Sequence, residues 1–260
     1  MANGKTTTVR VKRQDGPGQA AHWDEFHLPY RANANVISVL MEIQRNPVTA
    51  DGKKVPPPSW DAACLEEVCG SCTMVINGRV RQACSALIDP LGDTVTLEPM
   101  SKFPLVRDLA VDRQRMFDAL KRVKAWIPTD GTYDLGPGPK QASPKQELNY
   151  VLSTCMTCGC CLEVCPQVSS ASAFIGAAAI SQVRLFNEHP TGKMNAEDRL
   201  RALMEPGGVN DCGKAGNCVQ VCPKGIPLTS SIAEMSRETT QQAVKDWFVR
   251  DEHKSHGGPA

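Results

Sequence analysis

Twelve cysteines constrain this 260-residue chain more than any other feature, because eleven of them fall into three spaced runs. Cys64, Cys69, Cys72 and Cys84 read C-x4-C-x2-C-x11-C. Cys155, Cys158, Cys161 and Cys165 read C-x2-C-x2-C-x3-C, with Pro166 directly after. Cys212, Cys218 and Cys222 read C-x5-C-x3-C, with Pro223 directly after, and Cys160 alone stands outside these runs. Hydrophobic residues make up 41% of the chain but aromatic residues only 5%, so part of the order is expected to come from bound metal instead of a large aromatic core. Metal that gathers ligands scattered in the unfolded chain contributes its binding energy to folding.

The three runs differ, and each points to its own group. The first has the spacing of a plant-type [2Fe–2S] site. Gly70 and Ser71 lie inside its tight turn, where glycine permits the dihedrals that aim backbone N–H groups at sulfur. A four-cysteine zinc site is the alternative, but such sites use two short pairs and here the last cysteine stands alone. The second run is that of bacterial ferredoxins, in which the fourth cysteine serves the neighbouring cluster. Written on the same template the third run reads C-x2-A-x2-C-x3-C-P, with Ala215 in the place of the middle cysteine. By this crossover Cys155, Cys158, Cys161 and Cys222 hold a [4Fe–4S] cluster. Cys165, Cys212 and Cys218 are left as three thiolates, and alanine binds no iron, so [3Fe–4S] is the expected occupant. Asp211, next to Cys212 and not at the empty slot, reads as an N-terminal or turn aspartate, with an oxygen ligand as the weaker alternative. Cys160 reads as a small buried filler that could replace Cys161 if the loop shifted. Three unlike clusters imply a conductor of single electrons, with no catalytic residue of the chain's own.

Thr6 to Arg13 and Trp23 to Leu28 alternate as strands, Val36 to Arg45 has helical spacing, and Thr73 to Ile76 and Thr94 to Glu98 read as strands. That pattern fits a small β-grasp fold. Beyond Val106 the pattern turns helical: Met116, Leu120 and Val123 share a face, followed by a Gly- and Pro-rich loop over Pro128 to Ser143. Ser143-Pro144-Lys145-Gln146 predicts a helix start with Ser143 as N-cap, and that helix delivers Cys155. Further helices are expected over Ala171 to Asn187, Ala196 to Met204 and Ser231 to Val249, with a disordered polar tail over Asp251 to Ala260. The fold class is therefore α+β: a [2Fe–2S] ferredoxin-like domain over 1–108, and over 109–260 a helical domain holding [4Fe–4S] and [3Fe–4S].

A net charge of +1 gives no electrostatic case for nucleic acid. The N-terminus shows no apolar signal segment. The longest strongly apolar stretch, Phe174 to Ile180, falls far short of the roughly 20 residues of a membrane span. The expectation is a cytoplasmic chain whose cysteines hold metal in place of disulfides.

The order of the three cluster motifs resembles the iron–sulfur subunit of succinate dehydrogenases and fumarate reductases, over about Lys5 to Val249. CLEEVCGSCTMVINGRVRQACSALID (Cys64 to Asp89), FDALKRVKAWIPTDGTYDLGPGP (Phe117 to Pro139), SQVRLFNEHPTG (Ser181 to Gly192) and CVQVCPKGIPLT (Cys218 to Thr229) look especially like the menaquinone-linked Gram-positive type. The resemblance implies a subunit of a succinate:quinone oxidoreductase. A flavoprotein partner with FAD oxidises succinate, and electrons pass through [2Fe–2S], [4Fe–4S] and [3Fe–4S] to menaquinone at a membrane anchor of the cytochrome b type, often with haem b. The absence of a G-x-G-x-x-G fingerprint agrees with the flavin lying in the partner. The implied location is the cytoplasmic side of the cell membrane, peripheral through the anchor. In many ubiquinone-linked relatives tryptophan follows the first Cys-Pro, and histidine follows the cysteine that matches Cys212. Here Gln167 and Gly213 stand there. That ubiquinone site does not carry over, which implies a quinone site mostly in the anchor or delivery to haem. His189 reads as structural, with quinone contact as the alternative. Other readings are a fumarate reductase running in reverse, a free polyferredoxin, and a zinc-stabilised interaction module.

Overall fold

The computed structural model describes residues 5–127 and 140–255, with side chains through Phe248. The chain divides into two compact units. The first comprises residues 1–113 and 156–164, the second residues 114–155 and 165–260.

The first unit is a mixed sheet wrapped on one helix. Strands β1 (Thr6–Arg13) and β2 (His22–Pro29) pair antiparallel, and helix α1 (Val36–Arg45) follows. Asn35 caps α1, its Oδ1 accepting from Ser38 N–H at 2.9 Å. β3 (Thr73–Ile76), β4 (Arg79–Gln82) and β5 (Thr94–Glu98) complete a sheet of order β2-β1-β5-β3-β4, in which β1 and β5 run parallel. The parallel pair requires a crossover, and α1 is its helical part, which is the β-grasp arrangement. Val9 and Val11 on β1, Leu40 and Ile43 on α1, and Val95 and Leu97 on β5 are all fully buried in one core. The sequence reading omitted β4. Its signal was Asn77-Gly78 between short runs, and both residues take positive φ, 48° and 73°, as a two-residue hairpin turn requires.

A second small hairpin, β6 (Leu105–Arg107) and β7 (Ala110–Val111), brings Asp108 into the interior. Its Oδ1 accepts from Arg13 Nε and Gln14 N–H, both at 3.0 Å, and its Oδ2 from Ser59 N–H at 2.8 Å. Arg13 also pairs with Asp24 at 2.6 Å and donates to Pro56 O at 3.0 Å. This buried ion pair ties the second hairpin to β1 and to the segment that leads into the first cysteine run.

The second unit is helical. Helices α2 (Gln114–Arg122) and α3 (Ser143–Ser153) belong to it, whereas the short α4 (Cys160–Glu163) belongs to the first unit. Then come α5 (Gly176–Glu188), α6 (Ala196–Met204), the short α7 (Asn217–Gln220) and α8 (Leu228–Ser255). α5 buries Gly176, Ala177, Ala178, Ala179, Ile180 and Val183, and α8, which packs on it, buries Ile232 and Met235. Small side chains let the two helices approach at Ser181 and Ser231, whose hydroxyls lie 3.4 Å apart.

Several boundaries differ from those expected of the sequence, three of them for reasons the structure shows. α3 is capped by Ala142 without a side-chain bond, and Ser143 is its first residue, its hydroxyl donating instead to Glu147 at 3.3 Å. α5 begins at Gly176 and not at Ala171, because the preceding chain is held as a loop by Arg115, which donates to the carbonyls of Ser169, Ser172 and Phe174. α8 continues through Asp251 to Ser255, so that part of the expected disordered tail is helical. The loop expected from Pro128 lies, as far as Pro139, outside the described residues, as do the last five residues.

Candidate metal centre

None of the twelve cysteines is in a disulfide. Cys64, Cys69, Cys72 and Cys84 lie in the first unit, Cys64 and Cys69 half-buried and Cys72 and Cys84 buried. The loop from Cys64 to Cys72 turns its backbone N–H groups towards sulfur. Glu66, Val68 and Cys69 donate to Cys64 Sγ at 3.5, 3.3 and 3.3 Å. Cys64 and Ser71 donate to Cys69 Sγ at 3.5 and 3.4 Å. Leu65, Glu67 and Gly70 all take left-handed φ values (62°, 58° and 69°), and that conformation is what folds the amides inward. Such donors stabilise thiolate. Burial alone would raise Cys69, yet the bonds from Ser71 and Cys64 bring it down to about 6. Cys72 is pushed up to about 11, chiefly by burial, with the adjacent Cys84 thiol adding to the effect. A metal would ionise both. Sulfurs ringed by amide donors are what an iron–sulfur cluster requires, so the residues fit one.

In the second run, Cys158 and Cys161 are in the first unit, Cys155 and Cys165 in the second. Cys158 is surrounded by donors and charge. The neighbouring Cys160 side chain is the main reason that Cys158 falls to about 7 against burial, helped by its backbone surroundings and by the Arg113 charge. Arg113 Nη1 donates to Gly70 O at 2.7 Å and to Thr157 O at 3.5 Å. Glu163, at the end of α4, accepts from Ser101 N–H, the Ser101 hydroxyl and Lys102 N–H at 2.8, 2.7 and 3.0 Å, anchoring this loop to the chain after β5. Cys160 is 1% exposed, and contact with Cys158 and burial push its thiol pKa far up.

The third run, in the second unit, repeats the backbone of the second. Thr157 and Lys214 have φ of 51° and 55°, Gly159 and Gly216 have 91° and 75°, and a four-residue helix follows each glycine. Ala215 thus occupies the backbone slot that Cys158 occupies in the other run. Cys165, Cys212 and Cys218 come together: burial raises the Cys218 thiol, and Cys165 and Cys212 alongside raise it further. A cavity of about 600 Å³ adjoins Cys212 and Cys218, with Lys214, Thr229 and Ile232 among its walls. Cys222 is half-buried just beyond α7. Asp211 is engaged as a turn residue, its Oδ2 accepting from Gly207 N–H at 2.8 Å. His189 Nδ1 accepts from Thr191 and Gly192 N–H at 3.2 and 3.3 Å, a structural use of the ring. Gln82 and Arg113, beside the cysteine loops, carried no signal in the sequence because neither belongs to a spaced motif.

Comparison with known proteins agrees with this geometry. The family described as "2Fe-2S iron-sulfur cluster binding domain" matches residues 8–118, and "4Fe-4S dicluster domain" matches residues 151–226. The succinate dehydrogenase iron–sulfur subunit of Bacillus subtilis (strain 168) is 59% identical over 251 residues, covering 96% of this chain and 99% of that protein. The fumarate reductase iron–sulfur subunit of Wolinella succinogenes is 32% identical, covering 90% of this chain and 98% of that protein. A chain of the Mycobacterium smegmatis Sdh1 complex in the apo form shares the fold, with a TM-score of 0.74 at 23% identity, covering 92% of this chain and 98% of that one. With a full-length relative at 59% identity and both cluster-binding domains in order, the chain belongs to the iron–sulfur subunits of the succinate dehydrogenase and fumarate reductase family.

Proposed function

We propose that the chain conducts single electrons from an FAD-bearing flavoprotein subunit to menaquinone at a membrane anchor, in a complex that oxidises succinate. Clusters of iron and sulfur supply one-electron steps at potentials set by cluster type, charge and hydrogen bonds to sulfur. In this reading Cys64, Cys69, Cys72 and Cys84 hold [2Fe–2S]; Cys155, Cys158, Cys161 and Cys222 hold [4Fe–4S]; Cys165, Cys212 and Cys218 hold [3Fe–4S]. The chain's own work is to fix these thiolates, supply donors to their sulfurs, and exclude water with the cores around them. Residues 1–108 serve the first cluster and residues 109–260 the other two, with Met156–Val164 packed in the first unit.

The observation that carries the three-cluster reading is Ala215, held in the left-handed frame of Lys214 and Gly216 that matches the frame around Cys158. A backbone built for a ligand has a side chain that cannot bind iron. Substituting Ala215→Cys tests it. The expected result is loss of the oxidised-state [3Fe–4S] EPR signal and a gain of one iron per chain. An unchanged signal and iron count would place the vacancy elsewhere.

The higher identity to a succinate dehydrogenase subunit than to a fumarate reductase subunit, 59% against 32%, favours succinate oxidation as the physiological direction. Among the described residues no helix is long and apolar enough to cross a membrane. Attachment at the cytoplasmic face through a separate anchor, with haem b there, accords with this.

A further inference from the structure

The peptide unit between Gly70 and Ser71 is hydrogen-bonded at both ends. Its N–H, on Ser71, donates to Cys69 Sγ at 3.4 Å. Its carbonyl, on Gly70, accepts from Arg113 Nη1 and from the Thr73 hydroxyl, each at 2.7 Å. We infer that Arg113 and Thr73 are positioning residues for the [2Fe–2S] cluster: both act through this one peptide, a relay in which their donation strengthens the Ser71 N–H bond on the Cys69 sulfur. The inference rests on the ligand assignment proposed above.

The direction of each bond follows from its atoms. An arginine side chain has only donors and a carbonyl oxygen only accepts. Gln82 Nε2 donates to Thr73 Oγ1 at 3.2 Å, so the Thr73 oxygen accepts from the amide and gives its own proton to Gly70 O. Gln82 and Thr73 are 0% and 3% exposed and Gly70 is buried, so water does not compete for the carbonyl. The same Arg113 nitrogen also reaches Thr157 O at 3.5 Å, which holds the guanidinium in place. Arg113 lies 43 positions beyond Gly70 and outside every cysteine run.

A carbonyl that accepts from a cation is polarised, and the N–H of the same peptide becomes a stronger donor. Hydrogen bonds in a chain reinforce one another in this way, the more so where the local dielectric is low. A stronger donor draws electron density from the ligand sulfur and stabilises the reduced, more negative cluster over the oxidised one. It raises the potential.

The test is a redox titration followed by low-temperature EPR on the full chain in its complex, with Arg113→Met, Thr73→Val and Thr73→Ser. Arg113→Met is expected to favour the oxidised [2Fe–2S] cluster by about tenfold, a downward shift of about 59 mV for one electron. Thr73→Val, which removes a donor but no charge, is expected to lower the same midpoint by less, and Thr73→Ser to restore it. An unmoved midpoint in Thr73→Val, with the cluster present, means that Arg113 acts by charge through space and overturns the relay. An unmoved midpoint in Arg113→Met overturns it as well. A fall of equal size at the [3Fe–4S] cluster marks a general disturbance of the chain and also overturns it. If Thr73→Val alone loses the cluster, electron–nuclear double resonance on Arg113→Met decides: a weakened exchangeable-proton coupling at [2Fe–2S] supports the relay, and unchanged couplings overturn it. Loss of the cluster in both variants makes the bonds purely structural and overturns the relay. An unsubstituted chain without the reduced-state [2Fe–2S] signal overturns the ligand assignment, and the relay with it.

Discussion

Gly70 meets Cys158 with no room for a side chain: a Cβ on Gly70 would stand 2.6 Å from Cys158 Cα and 2.7 Å from its Cβ. The loop of the first cysteine run and the loop of the second are thus in backbone contact, and Arg113 bridges the carbonyls of Gly70 and Thr157 across it. In the ligand assignment proposed above, this contact joins the loop of the first cluster to a ligand of the second.

Gly70→Ala therefore displaces one loop or the other. The residue also has φ of +69°, a conformation that costs an L-residue about 1–2 kcal/mol before any clash. We expect a lowered melting temperature and loss of the [2Fe–2S] EPR signal, the [4Fe–4S] signal, or both. Unsubstituted melting with both signals intact would show that the contact is loose.

Asp108→Asn leaves Arg13 buried with one of its two carboxylate partners gone, their side chains being 5% and 1% exposed. Breaking a buried pair from one side costs about 3–5 kcal/mol. Thermal unfolding of the variant is expected to show that loss. A change within experimental error would mean that Asp24 alone satisfies Arg13.

Arg199 is fully buried, no carboxylate among the described residues forms a salt bridge with it, and its guanidinium donates to the carbonyls of Lys124, Trp126 and Gly192 and to Asn187 Oδ1 at 2.9, 2.7, 2.7 and 3.2 Å. Only a planar fork reaches four acceptors spread in this way. Arg199→Met is expected to destabilise the second unit by about 3 kcal/mol or more, since several buried carbonyls lose their donors. Arg199→Lys should recover little of it. Full recovery with lysine would show that charge, not geometry, is what the site needs.

Glu188, Glu234 and Glu238 bring carboxylate oxygens within 4.8 Å of one another. Lys145 pairs with Glu188 at 2.6 Å and Arg237 pairs with Glu234. Glu238 is held above the usual glutamate range by burial first, then by Glu234 and Glu188, against a bond from Asn187. A carboxyl raised on folding favours the folded state below its unfolded pKa and withdraws that advantage as pH rises through its folded pKa. Glu238→Gln is therefore expected to raise the melting temperature at neutral pH, by the equivalent of up to about 1 kcal/mol, with the gain vanishing below about pH 4. A gain that persists in acid would contradict the electrostatic cause.

The two cluster-binding domains were legible in the sequence because cysteine spacing is a local code, and strands such as Thr6–Arg13 because alternation is local too. What sequence alone could not show is long-range. Asp108 looks like any turn aspartate until the hairpin brings it to Arg13. Gln82 looks like a strand residue until Cys160 arrives, 78 positions later. Arg115 overrode the helical composition after Ala171 by binding three carbonyls of that segment. The Asn77-Gly78 turn is as local a signal as the cysteine spacing, since both residues take positive φ.

The most direct measurement is low-temperature EPR with iron quantification on anaerobically isolated protein, oxidised and reduced. An oxidised-state [3Fe–4S] signal, reduced-state [2Fe–2S] and [4Fe–4S] signals, and on the order of nine irons per chain are the predicted result. Zinc without iron, or a [4Fe–4S] cluster at the Ala215 site, would contradict the account.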